Sequence, residues 1–138
     1  MKKIFSLIIA ATLLLSLCSC GGYASSYKAI GLVRSQTKHG CETSFYSLEG
    51  QLVFKLKKLS GSEGSISFSV RADEGEIFLY YDNNGSKQQL AHVKAGESIT
   101  DKGGYVEGGD DVYIIIEAPN GAGGMVSVEL NGELSTEN

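Results

Sequence analysis

Apolar and polar residues alternate with a period of two over most of the chain beyond residue 47, the spacing of strands that bury one face. Leu48, Gly50, Leu52, Phe54 and Leu56 alternate with Glu49, Gln51, Val53, Lys55 and Lys57, and Ile66, Phe68, Val70 and Ala72 with Ser65, Ser67, Ser69 and Arg71. Gly61 to Gly64 has the length of a hairpin connection between these two strands. A third strand over Glu76 to Asp82 puts Ile77, Leu79 and Tyr81 on one side and Phe78 and Tyr80 on the other, so both of its faces are expected to be covered. It runs into Asn84-Gly85, a pair suited to the positive φ angles of a two-residue hairpin. Shorter strands are expected near 88–94, 98–100 and 105–107. Val112 to Ala118 is apolar on both faces, as in a central strand, and after a closing loop over Pro119 to Gly124 the stretch Met125 to Leu130 alternates again. A weakly patterned strand is expected in Tyr27 to Arg34.

Eighteen glycines punctuate these segments, the chain has one proline, and no window carries a helical stripe after the first twenty residues. Seven or eight short strands at such spacing predict an all-β domain, an antiparallel β-sandwich of jelly-roll type after an N-terminal signal helix, with an immunoglobulin-like Greek key as the alternative.

The N-terminus has the three parts of an export signal in order: Lys2 and Lys3, an apolar stretch from Ile4 to Leu17, and small residues beyond it. That stretch is shorter than the roughly 20 residues a membrane span needs. Leu17-Cys18-Ser19-Cys20 resembles the lipobox of bacterial lipoproteins, which implies cleavage before Cys20 and lipidation of its thiol. Modification of Cys18 instead would put bulky Leu17 next to the cut. The resemblance implies a lipid-anchored protein of the bacterial cell envelope, outside the cytoplasm. It divides the chain into a signal peptide over 1–19, a lipidated Cys and flexible Gly/Ser/Ala/Tyr tether over 20–26, and one β-sandwich domain over 27–138.

Without the signal the chain keeps ten Lys and Arg against sixteen Asp and Glu, a balance that excludes nucleic acid and a polybasic membrane patch. From Glu97 onward there are nine acids and only Lys102 as a base, which predicts a negative end to the domain unless the topology interleaves the two parts. Cys41 would be the one remaining thiol, with no partner for a disulfide. His39 two positions away suggests a nucleophilic pair, and zinc on His39, Cys41 and His92 would lack a fourth ligand. No cofactor motif is present. Calcium is the one metal with an oxygen-rich turn to offer, at Glu107, Asp110 and Asp111. The adjacent aspartates cannot face one another from a strand, and no Gly-x-Ser-x-Gly motif exists, so catalysis is not expected.

Ser65-Ile66-Ser67-Phe68-Ser69-Val70, Glu74-Gly75-Glu76-Ile77-Phe78-Leu79, Asn84-Gly85, Lys94-Ala95-Gly96-Glu97 and Asp111-Val112-Tyr113-Ile114-Ile115-Ile116 follow one another from Gly64 to Leu130. This run resembles the small exported jelly-roll domains typified by the bacterial pre-peptidase C-terminal domain. The resemblance implies a binding or accessory role. A non-enzymatic binding or interaction function at the envelope is therefore expected, toward an envelope polysaccharide or an envelope protein. Tyr80, Tyr105 and Tyr113 are the candidate ligand-binding residues, since tyrosine offers both a ring face and a hydroxyl. An uncovered patch at Val53 beside Lys55, or at Phe78 beside Tyr80, would instead mark protein docking.

Overall fold

The computed structural model describes residues 23–57, 63–83, 85–107 and 111–132, and every regular element among them is a strand. In chain order these are β1 (Ser26–Ile30), β2 (Val33–Gln36), β3 (Gly40–Leu56), β4 (Glu63–Asp82), β5 (Lys87–Lys94), β6 (Ser98–Glu107) and β7 (Val112–Gly132). No helix among the described residues is long and apolar enough to cross a membrane.

Three strands are unusually long, with 17, 20 and 21 residues in β3, β4 and β7. A straight strand of that length would reach about 60 Å, too far for a domain this small, so each must bend. The bends lie where the register shifts, between Phe45 and Gly50 in β3 and between Ala72 and Phe78 in β4, with residues 118–122 of β7 opposite them. Glycine makes two of these corners possible. Gly50 sits at φ 120° and Gly75 at φ 69°, and a Cβ on either would meet backbone, at 2.3 Å from the Ser26 carbonyl oxygen and 2.1 Å from that of Gly121.

Bending divides the pairing into two antiparallel sheets. In the first, β1, the second part of β3, the first part of β7, the second part of β4 and β5 lie side by side. In the second the order is β2, the first part of β3, the second part of β7, the first part of β4 and β6. Three strands thus cross from one sheet to the other, and each sheet repeats the order β3, β7, β4. With β5 and β6 closing the two sets, this is the wiring of an eight-segment jelly roll, which decides against the immunoglobulin-like alternative.

The alternation assigned the inward face correctly. Leu52, Phe54, Leu56, Ile77, Leu79, Ile114 and Ile116 of the first sheet join Phe45, Ile66, Phe68, Val70, Val126 and Val128 of the second in a single buried cluster. Polar clasps close the sandwich at its rims. The Tyr81 hydroxyl of β4 accepts the Tyr105 amide of β6 at 2.9 Å, and the Arg34 guanidinium of β2 lies 4.6 Å over the Phe54 ring of β3.

Several expected boundaries dissolve. The strands read separately at 65–72 and 76–82 are one element, as are those at 112–118 and 125–130, and the expected closing loop over 119–124 is a corner inside β7. The expected hairpin between 48–57 and 65–72 does not form, because β7 lies between β3 and β4. The turn residue Asn84 lies outside the described residues, while Asp82 and Lys87 on either side of it pair as a hairpin requires.

Candidate functional site

The outward face of the first sheet carries the densest chemistry of the molecule. Its register aligns three rows of four residues across β3, β7, β4 and β5: Gln51, Glu117, Phe78 and His92, then Val53, Ile115, Tyr80 and Gln89, then Lys55, Tyr113, Asp82 and Lys87. A β-bulge between Leu79 and Tyr80 sets the β5 partners of the last two rows. Ile115 lies at the centre and is fully buried although it points away from the core, so its neighbours roof it over. Phe78, Tyr80 and Tyr113 are half-buried around it.

The aromatic rings are fixed by contact. His92 and Phe78, cross-strand partners, stack with centroids 4.1 Å apart and planes 11° from parallel. Tyr80, two positions along the same strand, lies 6.3 Å from Phe78 and within 10° of its plane, and the Lys87 ammonium sits 4.4 Å over its ring. His92 and Lys87 both come from β5: the His92 ring stacks on Phe78, while Lys87 reaches over Tyr80 to Glu117 of β7. At the far side Lys55 lies 5.8 Å over the Tyr113 ring.

The two lysines of these rows each meet a carboxylate. Lys87 pairs with Glu117 at 2.5 Å, Lys55 with Asp111 at 3.4 Å, and the His92 ring with Glu76 at 3.4 Å. Asp82 is buried and accepts the Tyr23 hydroxyl at 2.6 Å and the Gly85 amide at 2.7 Å. Burial, the bond to Asp82 and the Asp82 charge, in that order, push the Tyr23 hydroxyl up to about 12.

Tyr23 also corrects the expected tether. The segment is fastened from residue 23 onward: the Tyr23 ring meets Tyr113 edge-on at 5.5 Å, the Gln51 side chain donates to the Ala24 carbonyl, and the Ser25 hydroxyl accepts the Val53 amide. Tyr23 thus spans from the β3 edge over Tyr113 to Asp82 at the end of β4.

Of the three tyrosines singled out from the sequence, Tyr80 and Tyr113 share this face. Tyr105 does not: it lies on β6 in the other sheet, where its amide holds the Tyr81 hydroxyl. Phe78, expected only as part of a docking patch, joins the rings, and Lys55 and Val53 lie on the same face. Lys87 and Glu117 were not legible as site residues, and His92 only as a zinc candidate, since the register of β4 with β5 and β7 brings them in; Tyr23 enters through its side-chain contacts with Tyr113 and Asp82.

The other candidates separate. Asp110 and Cys20 lie outside the described residues. Glu107 and Asp111 are brought near one another through their backbones, with the Asn83 side chain accepting the Glu107 amide and donating to the Asp111 carbonyl, while the Asp111 carboxylate turns to Lys55. Among the described residues no three His, Cys, Asp or Glu side chains are arranged to hold a metal. Cys41 is buried, which pushes its thiol up to about 12 against a smaller opposing pull from Arg34, so it is a core residue and not a nucleophile. His39 places a ring nitrogen 3.3 Å from the Lys57 carbonyl, and His92 sits on the opposite sheet from Cys41, which disperses the expected zinc set.

No protein-family model matches the chain, and no curated protein matches it. Among solved structures, a carbohydrate-binding module of family 29 is similar over 80% of this chain and 77% of its own, with 16% identity and a TM-score of 0.44. A mutant of a family 29 module complexed with mannohexaose covers 78% of this chain and 91% of its own, at 15% identity and a TM-score of 0.43. A Neisseria meningitidis protein, NMB1881, covers 75% of this chain and 87% of its own, at 14% identity and a TM-score of 0.34. All three likenesses are distant, and none assigns a ligand to this chain.

The second sheet presents a different outward face. Ser35, Glu42, Ser127, Ser69 and Thr100 form one row across its five strands, followed by Glu129, Ser67 and Lys102 in the next. Hydroxyls dominate, and the alternation of serine with Ile66, Phe68 and Val70 is what a solvated sheet face requires.

Proposed function

We propose that this protein is a non-catalytic carbohydrate-binding module, held outside the cytoplasm at the bacterial envelope by a lipid on Cys20, which takes a glycan on the outward face of the first sheet. The observation that supports it is the grouping of Phe78, Tyr80 and Tyr113 around Ile115 with Gln51, Lys55, Lys87 and Glu117 among them. Sugars present C–H groups on one side and hydroxyls at the rim. Ring faces pack against the former, and charged or amide side chains bond the latter. The rings are pre-set by His92, Lys87 and Tyr23, so little ordering entropy opposes binding.

The test is affinity electrophoresis and calorimetry against peptidoglycan fragments and soluble envelope polysaccharides. Tyr80→Ala and Tyr113→Ala are each expected to weaken binding by about tenfold, the loss of roughly 1 to 2 kcal/mol of ring contact, with the circular dichroism spectrum unchanged. Failure of every glycan to bind the unsubstituted protein, or binding indifferent to both substitutions, would sink the proposal. The anchor is tested separately. Cys20→Ser is expected to release the protein from the membrane fraction or leave the signal uncleaved, and unchanged processing and retention would refute it.

A further inference from the structure

Outside the proposed site, the most exposed apolar residues gather at one corner. Tyr46, Ile30 and Val33 are 81, 69 and 63% exposed, ahead of Tyr105 at 55% and of Tyr27 and Ile99 at 37 and 36%. They meet around Gly31, which turns the chain from β1 to β2 at φ 67°. A Cβ on Gly31 would come within 2.5 Å of the Tyr46 ring, so the bare glycine lets that ring lie across the turn. Ile30 pairs with Ser47 and Val33 with Ser44, which puts all three on the outside of the corner where β3 passes between sheets.

We infer that this Ile30, Val33 and Tyr46 corner is a membrane-contact surface that seats the domain in the headgroup boundary of the bilayer. The inference rests on the proposed lipid anchor. Cys20 precedes Tyr23 by three residues, and fully extended chain of that length spans at most about 11 Å. Because Tyr23 is fastened to Asp82 and Tyr113, the acyl chains must enter the bilayer close to the domain surface. From there β1 runs along the open edge of the sheet straight to Ile30. The anchor thus marks one end of this edge and the apolar corner the other. A tyrosine beside aliphatic side chains is the pairing that settles at the boundary between headgroups and acyl chains.

Charge favours the same seating. Residues 23–39, which carry β1 and β2 along this edge, hold Lys28, Arg34 and Lys38 and no acid. The opposite edge, β5 and β6 with their connecting turn, is balanced, with Lys87, Lys94 and Lys102 against Glu97, Asp101 and Glu107. Anionic headgroups would attract the first edge and have no net pull on the second. A domain lying on its β1–β2 edge keeps the outward face of the first sheet open to a glycan from the side.

The test uses the full chain in membrane vesicles and a charged maleimide. Ser47→Cys places a thiol in the corner without removing any of its apolar residues, Ser98→Cys places one at the β6 edge, and buried Cys41 gives little background. In vesicles the Ser47→Cys variant is expected to react at least about tenfold more slowly than the Ser98→Cys variant, as for a group sunk into the headgroup layer. Detergent should abolish the difference, and so should serine at 30, 33 and 46 together, with the protein still in the membrane fraction. Equal rates in vesicles would overturn the contact alone. Protection that persists in detergent would overturn it in favour of a protein partner or a second copy. Recovery of the protein in the soluble fraction would overturn the anchor and the contact together.

Discussion

Tyr23 shows how one side chain converts a sequence that looks like linker into part of a fold. Small and polar neighbours gave it no strand pattern, yet its ring and hydroxyl close the end of the first sheet over Tyr113 and Asp82. The hydroxyl is held at about 12 rather than the ordinary 10, so the protonated form is the one the fold favours. Its contribution to stability is therefore complete below pH 10 and is lost as the pH rises through 12. Tyr23→Phe is expected to cost about 1 kcal/mol at pH 7 by leaving Asp82 short of a donor. The deficit relative to the unsubstituted protein should shrink between pH 10 and 12, because only the latter has a proton to lose at this site. Urea denaturation of both proteins at about pH 7 and about pH 11 measures this, and a gap that stays constant would remove Tyr23 as the alkaline-sensitive contact.

At the scale of the elements, a single glycine decides whether a long strand can serve both sheets. Gly75 occupies a left-handed conformation with the Gly121 carbonyl oxygen 2.1 Å from where a Cβ would stand, and that oxygen belongs to backbone that cannot swing aside. Gly96 has a similar conformation at φ 86° but open space around it. Gly96→Ala is expected to cost about 1 to 2 kcal/mol, the ordinary penalty of a side chain in the left-handed region. Gly75→Ala should cost at least about 2 kcal/mol more, since the corner of β4 must shift. Equal melting temperatures for the two variants would show that the β4 corner yields freely. The same glycines explain what the sequence concealed. Alternation identified the inward residues of 48–56, 66–72, 77–81, 112–116 and 126–130, including Ile114 and Ile116, because a period of two survives a bend; it missed Cys41 and Phe45 in the first part of β3, Ala91 and Val93 in β5 and Val106 in β6. It could not say that Gly75 turns a strand without ending it, since a bend and a hairpin both call for glycine. Strand count and face were legible, whereas continuity and the placement of β7 between β3 and β4 depend on contacts distant in sequence.

Over the whole molecule, the wiring redistributes charge that looks segregated along the chain. The acid-rich final third predicts one negative end, but β7 runs through the middle of both sheets and brings Glu117 to Lys87, while Glu97, Asp101 and Glu107 lie in and beside β6 together with Lys102. Tyr80 and Tyr113 were legible as surface rings because each alternates with a core residue. Lys87, Glu117 and His92 were not, because a cross-strand partner is set by register and bulges rather than by its own neighbours. The consequence for binding is specific. In the three rows of the proposed face Lys87 already has Glu117 and Lys55 has Asp111, so neither lysine there awaits an anionic ligand. On the proposed function, an uncharged glycan is therefore expected. Its affinity should change by less than about twofold between roughly 0.05 and 0.5 M salt, because screening acts on net charge–charge attraction and leaves ring contacts and neutral hydrogen bonds nearly untouched. A uronic-acid or phosphate-bearing polysaccharide would instead bind more weakly with each increment of salt. Calorimetry of the bound polysaccharide across that range separates the two, and a steep decline would mean that the ion pairs open to admit an anion.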